Sequence, residues 1–225
     1  MLKDTYQAMG RVSSSIVENP GKLKQAIPGV VRIGSIIAAD PQQARYLGRW
    51  FSTVRRSTLD LAMPWLPFAV IDRLDGVLTD RSRVFEFGGG GSTLWLSPRV
   101  GEVVTAEHDP EWVEYLRGRT AAAQSVTLLV RSAANDYADY VGSIDEYPDD
   151  HFDAVIVDGR QRVRCFERAL AKVRPGGLLI LDDSQREHYR EAFRLASGWP
   201  RATLRGLTPT KTMAGTTTLW TRPAA

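Results

Sequence analysis

Residues 83–93 read Arg-Val-Phe-Glu-Phe-Gly-Gly-Gly-Gly-Ser-Thr, a short apolar run that stops at four glycines. Residues 84–87 have the β-branched and aromatic character of a buried strand, and residues 92–97 read as the helix that follows. Glycines placed between a strand and a helix permit a tight turn, and they let a ligand approach the main chain where a Cβ would collide. Spacing excludes two common ligands for such a turn. A dinucleotide fingerprint needs glycine at its first, third and sixth positions, and counting from Gly88 the sixth is Thr93. No Lys-Ser or Lys-Thr pair follows the glycines, which excludes a phosphate-cradling P-loop.

The same alternation continues downstream. Residues 103–106 read as a second strand ending in Glu107-His108-Asp109, and Asp109-Pro110 starts a helix reaching about Arg119. Residues 126–130 form a third strand, and residues 152–157 a fourth ending in Asp158-Gly159. Residues 161–173 are helical, with Val163, Phe166, Leu170 and Val173 on one face. After the Pro175-Gly176-Gly177 turn, residues 178–181 make a fifth strand that ends in Asp182-Asp183-Ser184. A helix over 185–196 and strands near 202–207 and 216–221 complete the chain. Helices alternating with apolar strands predict an α/β, doubly wound, Rossmann-like sheet covered on both faces. Ligands in such sheets sit beyond the carboxyl ends of the strands, where every polar cluster named here lies.

Upstream, residues 1–40 alternate short apolar stretches with Asn19-Pro20-Gly21, Pro28-Gly29 and Gly34, which predicts short helices and loops rather than one long helix. Asp40-Pro41 opens an amphipathic helix over residues 41–60 carrying Ala44, Leu47, Phe51 and Val54, and a further helix covers 67–78. Residues 1–80 are therefore expected to form a helical N-terminal cap, able to serve a homodimer, and residues 81–225 the ligand-binding domain.

Composition narrows the class. The 225 residues are 43% hydrophobic and 24% charged, the balance of a globular chain rather than a disordered one. A single cysteine, Cys165, excludes an internal disulfide framework and a thiolate zinc cluster, and suggests a reducing, cytoplasmic setting. No apolar run is long enough to span a membrane. The net charge of +3 is uneven: residues 1–75 hold 10 Lys and Arg against 6 Asp and Glu, and the remainder 19 against 20. Lys3, Arg11, Lys22, Lys24 and Arg32 spread that surplus among breakers, so no nucleic-acid partner is expected.

An acid ending the second strand, Glu107, lies 21 residues after Glu86, where a carboxylate can accept hydrogen bonds from two ribose hydroxyls. A carboxylate at Glu86 suits a cationic amino-acid end better than a pyrophosphate. With residues 84–93, Glu107, residues 152–159 and residues 175–183 in this order, the chain resembles the class I S-adenosylmethionine-dependent methyltransferases over residues 82–225. The resemblance implies a seven-stranded, mostly parallel sheet with the last strand antiparallel. It implies that Glu86, Gly88 and Gly90 line the methionine end, that Glu107 binds the ribose, and that Ser132 contacts adenine, with Asp158 counted in the cofactor set. Trp112 either packs or edges the adenine.

Asp158, Asp182 and Asp183 end neighbouring strands and would repel one another without a cation. Oxygen ligands suit Mg²⁺, and the three resemble the acids of metal-dependent small-molecule O-methyltransferases. Metal-free relatives carry the first two as well, so magnesium is one of two possibilities. The usual base positions after the first metal aspartate hold Arg160 and Gln161, neither of which is a base at neutral pH. Asp183 or His188 is left as the catalytic base. Arg160, Arg162 and Arg164 either present charge to an acidic acceptor or form a solvated helix face. Cys165 lies mid-helix and no Asn/Asp-Pro-Pro-Tyr box follows the fourth strand, so oxygen in a small molecule or saccharide is the expected acceptor. The alternative is a non-catalytic S-adenosylmethionine-binding module; an alkyl transferase using the decarboxylated cofactor ranks third.

Overall fold

A computed structural model describes residues 20–224. Expectations placed on residues 1–19, Lys3 and Arg11 among them, lie outside the described residues. Seven strands form one sheet: β1 (Arg83–Phe87), β2 (Glu102–Glu107), β3 (Val126–Val130), β4 (Phe152–Val157), β5 (Val173–Asp182), β6 (Arg201–Gly206) and β7 (Gly215–Thr221). Their order is β3-β2-β1-β4-β5-β7-β6. Strands β1 to β5 pair in parallel, and β7 runs antiparallel to both β5 and β6. The expected doubly wound sheet with an antiparallel last strand is therefore present. Strand order reverses between β1 and β4, which leaves a crevice at their carboxyl ends.

Alternation along the central strands divides the core in two. Val84, Ala154, Ile156 and Ile180 point to one face, where Ile33, Trp50, Phe68, Leu74 and Leu96 bury them. Phe85, Phe87, Val155, Val157 and Leu181 point to the other, against Tyr140, Phe166, Ala192 and Trp220. Both faces are dry, so these strands read as continuous apolar runs rather than alternating ones.

The N-terminal expectation needs correction. Residues Pro20–Ala39 make one continuous helix, passing through Pro28, Gly29 and Gly34. Local breakers are outweighed there by burial of Ile33 and Ile36 against the sheet. The helix expected over 41–60 is instead a tight 3₁₀ segment, Pro41–Tyr46, followed by Leu47–Thr53. Asp40 caps the former as anticipated, its carboxylate accepting the Gln42 amide at 3.1 Å. Residues beyond Thr53 leave the helix to form a loop that reaches the crevice.

The segment 41–65 and the β6–β7 connection are tied together across most of the chain. The Leu207 amide donates to Gln43 Oε1 at 3.1 Å, the Thr210 amide to Thr53 Oγ1 at 3.0 Å, and Trp50 Nε1 to the Lys211 carbonyl at 2.6 Å. Trp65 Nε1 donates to the Pro209 carbonyl at 3.1 Å and to Thr210 Oγ1 at 3.0 Å. A segment absent from the sequence reading, Ala134–Gly142, follows β3 and opens with Asn135, Asp136 and Tyr137 in left-handed backbone.

Gly91 shows how closely the crevice loop meets the helix Gly91–Leu96 that follows β1. A Cβ there would lie 2.3 Å from the Met63 carbonyl oxygen and 2.7 Å from that of Thr58, both main-chain atoms that cannot swing aside. Gly91→Ala is expected to destabilise the fold by about 2 kcal/mol. A urea titration showing an unchanged midpoint would contradict this close packing.

Candidate functional site

The carboxyl ends of β1, β2, β4 and β5 open into a cleft of about 480 Å³. Gly88, Gly89, Gly90 and Gly91 line it, presenting main chain without side chains. Gly88 has φ +92°, and a Cβ on it would stand 2.8 Å from the Gly159 Cα, so the turns after β1 and β4 touch backbone to backbone. The Gly88 amide donates to Ala106 O at 2.9 Å and the Asp158 amide to Phe87 O at 3.1 Å, which extends the sheet to the lip of the cleft.

Glu107 ends β2 and lines the cleft with its side chain 9% exposed. Its Oε1 accepts the His108 and Asp109 amides at 2.7 and 3.2 Å, and His108 Nδ1 lies 2.6 Å from the same oxygen. Oε2 accepts the Gly89 amide at 3.2 Å. The carboxylate is thus aimed across the glycine turn by main-chain donors, with acceptor capacity left on Oε2. Trp112 borders this end and donates from Nε1 to the Gly89 carbonyl at 2.9 Å.

Two expected cofactor residues sit elsewhere. Glu86 is fully buried near the carboxyl end of β1, on the face opposite Phe85 and Phe87, and is not among the cleft-lining residues. It accepts from Ser92 Oγ at 2.6 Å, from Thr105 Oγ1 at 2.7 Å, and from Thr93 Oγ1. Burial pushes its carboxyl above the ordinary range while the three hydroxyls pull it back. In this position Glu86 pins the glycine turn and its helix to β1 and β2. Ser132 is exposed beside a separate hollow and accepts the Ala134 amide at 2.9 Å.

The three aspartates do come together, around an arginine. Arg162, 11% exposed in its side chain, donates from Nη2 to Asp158 Oδ1 and to the Asp158 carbonyl, both at 2.8 Å. Its Nη1 donates to the Asp182 carbonyl at 2.6 Å and lies 3.9 Å from Asp182 Oδ2 and 3.8 Å from Asp183 Oδ2. Its Nε donates to Gly159 O at 3.1 Å. Asp182 is buried and takes a further bond from Thr217 Oγ1 at 2.6 Å, while Asp183 pairs with Arg186. Among the described residues no three His, Cys, Asp or Glu side chains are grouped so as to hold a metal ion. The residues present therefore do not fit magnesium, because the guanidinium stands where the ion was expected.

Burial raises the Asp182 carboxyl and pushes Asp158 up to about 8, with Asp182 as the second cause and Arg162 opposing. Asp158 still opens 31% of its side chain, so it exchanges protons with the cleft. His188 is exposed, packs edge-on against Tyr189 and does not line the cleft. Thr58, Leu59, Trp65, Arg186 and Lys211 form the remaining wall, and the sequence reading named none of them as site residues. Trp65 lies in Met63-Pro64-Trp65-Leu66-Pro67, whose prolines mark a loop able to carry an aromatic side chain outward. Lys211 carries no comparable signal.

Solved structures with the same arrangement are similar to this chain over about two thirds of its length. A precorrin-6y C5,15-methyltransferase from Geobacter metallireducens shares 15% identity, covering 67% of this chain and 86% of its own, with a TM-score of 0.51. An rRNA methylase from Streptococcus thermophilus shares 16%, covering 68% and 95%, at 0.53. A Streptococcus mutans protein solved in complex with SAH shares 15%, covering 71% and 99%, at 0.51. The chain has the Rossmann-like methyltransferase fold. No family model and no curated protein matches the sequence.

The sign of the aspartate shift sets a pH dependence. A carboxyl whose folded pKa lies above its unfolded value of about 3.9 favours the folded state when protonated, and that contribution is lost as pH rises through the folded value. Stability is expected to fall between about pH 4 and 8 on account of Asp158. Asp158→Asn keeps an acceptor for Arg162 and removes the cost of ionisation. Its thermal midpoint should exceed wild type by a few degrees at pH 8 and match it near pH 4; equal midpoints at pH 8 would refute the assignment.

Proposed function

We propose that the chain is an S-adenosylmethionine-dependent methyltransferase acting on a hydroxyl oxygen of a small molecule or saccharide. The observation that carries this reading is Glu107, held by main-chain amides at the end of β2 and facing a side-chain-free glycine turn in the same cleft. S-adenosylmethionine supplies an electrophilic methyl group when bound. Glu107 accepts hydrogen bonds from the ribose hydroxyls, and the turn at residues 88–90 admits the methionine portion without steric conflict. Asp158 follows β4 beside that turn, where its ionised form would face the sulfonium and ammonium charges.

Asp158 also serves as the proton acceptor for the hydroxyl. It opens to the cleft, and its raised pKa matches a base working near neutrality. Asp183 lines the cleft too, but its carboxylate is engaged by Arg186 and lies 3.8 Å from Arg162 Nη1. Positioning supplies most of the rate in an in-line transfer of this kind. Arg162 takes the role of the cation among the three aspartates, so no divalent ion is needed. A second reading, a non-catalytic cofactor-binding module, is favoured by Arg160 and Gln161 standing where metal-dependent small-molecule O-methyltransferases hold their bases.

Among the described residues no helix is long and apolar enough to cross a membrane. Titration calorimetry tests the core of the proposal. Wild type should bind both S-adenosylmethionine and S-adenosylhomocysteine, and Glu107→Ala should weaken both roughly 30-fold. Affinity unchanged by that substitution would remove the ribose assignment. Turnover should be indifferent to EDTA and to added Mg²⁺; loss with EDTA and recovery with Mg²⁺ would restore the metal.

A further inference from the structure

The basic side chains around the cleft are unevenly engaged. Arg162 directs its donors inward to Gly159, Asp158 and Asp182. Arg164 pairs with Asp136 at 2.9 Å, and Arg186 pairs with Asp183. Two cations remain in the lining. Arg160 is exposed, Lys211 is half-buried, and among the described residues neither has a carboxylate within ion-pair distance.

Lys211 is also held in place. A loop lysine ordinarily swings in water on four rotatable bonds. Here Nζ lies 4.1 Å from the centre of the Trp65 ring, and the Lys211 carbonyl accepts Trp50 Nε1 at 2.6 Å. The preceding residue, Thr210, has φ +65° and is fixed from both sides by Thr53 and Trp65. Three side chains of the N-terminal segment thus present an ammonium group at the cleft without neutralising it. The Asp158 and Asp182 carboxyls feel the Lys211 charge across the cleft, but neither pairs with it directly.

The geometry points to an acceptor that carries an oxyanion, a carboxylate or a phosphate, held by Lys211 and Arg160 with its hydroxyl turned toward Asp158. This assignment rests on the methyl-transfer reading of the same cleft and adds its substrate class. An arginine fork and a lysine ammonium together match a carboxylate or phosphate. A half-buried lysine and an exposed arginine on the lining of one cleft suit a single anionic group rather than the long basic face that follows a nucleic-acid backbone.

The test uses inorganic phosphate and benzoate as probes of the two anion sources. Each is titrated into the full chain, alone and saturated with S-adenosylhomocysteine, for wild type and for Arg160→Gln/Lys211→Gln. One of the two anions should bind, less tightly as NaCl rises, and the double variant should lose about a hundredfold, roughly tenfold per cation. Its affinity for S-adenosylhomocysteine should stay within about twofold, since neither side chain is assigned to the cofactor. Failure of both anions to bind wild type, or anion binding indifferent to the double substitution, would overturn the assignment. So would a double variant that loses a short single-stranded RNA instead. Titrations without S-adenosylhomocysteine report on the cation pair separately, so failure of the cofactor reading remains distinguishable.

Discussion

The guanidinium of Arg162 is the group on which the cleft depends. A parallel sheet delivers its strand ends side by side, and here β4 and β5 end in Asp158, Asp182 and Asp183. Two like charges about 4 Å apart at an effective dielectric near 20 repel by roughly 4 kcal/mol. Burial adds a desolvation cost to each. Arg162 answers both terms at once, with charge for the carboxylates and donors for the carbonyls of Asp158, Gly159 and Asp182. Its own placement follows from Gln161, whose left-handed backbone (φ 47°) turns the chain into the helix so that the next side chain points back under the strand ends.

From that centre the cleft divides into two chemical halves. One half is main chain and carboxylate: the glycine turn and Glu107, built from β1 and β2. The other is aromatic and cationic: Trp65, Lys211 and Arg160, contributed by loops. A ligand spanning both would meet hydrogen-bond acceptors at one end and donors at the other. This polarity is a property of position, because strand ends carry the acids while the loops covering them carry the bases.

How much of this could be read from sequence depends on how local each signal is. The glycine run, the apolar strands and the acids closing them are contiguous motifs, so the sheet, its antiparallel end and the situation of Glu107 were all legible. Glu86 was misplaced because strand alternation was not followed to its end. With Phe85 and Phe87 on one face, Glu86 must turn to the other, where Ser92, Thr93 and Thr105 take its oxygens. The arginine among the aspartates was not foreseen, since opposite charges at positions 158 and 162 suggest a surface helix pair equally well. Lys211 and Trp65 meet across 146 positions, and no local pattern encodes such a meeting.

The bonds from Gln43, Trp50, Thr53 and Trp65 to residues 207–211 also bear on the order in which the molecule is made. During synthesis the N-terminal segment emerges first, yet its indole donors and its Gln43 and Thr53 acceptors find their partners only after β6 and the loop beyond it have left the ribosome. Loop-closure entropy over such a separation is recovered late, after local strand–helix units have formed. The bond from the Gly89 amide to Glu107, by contrast, closes within residues 83–107. A chain cut before residue 207 therefore lacks the partners of Gln43, Trp50, Thr53 and Trp65, and the Trp65–Lys211 wall of the cleft forms only once residues 207–211 are in place.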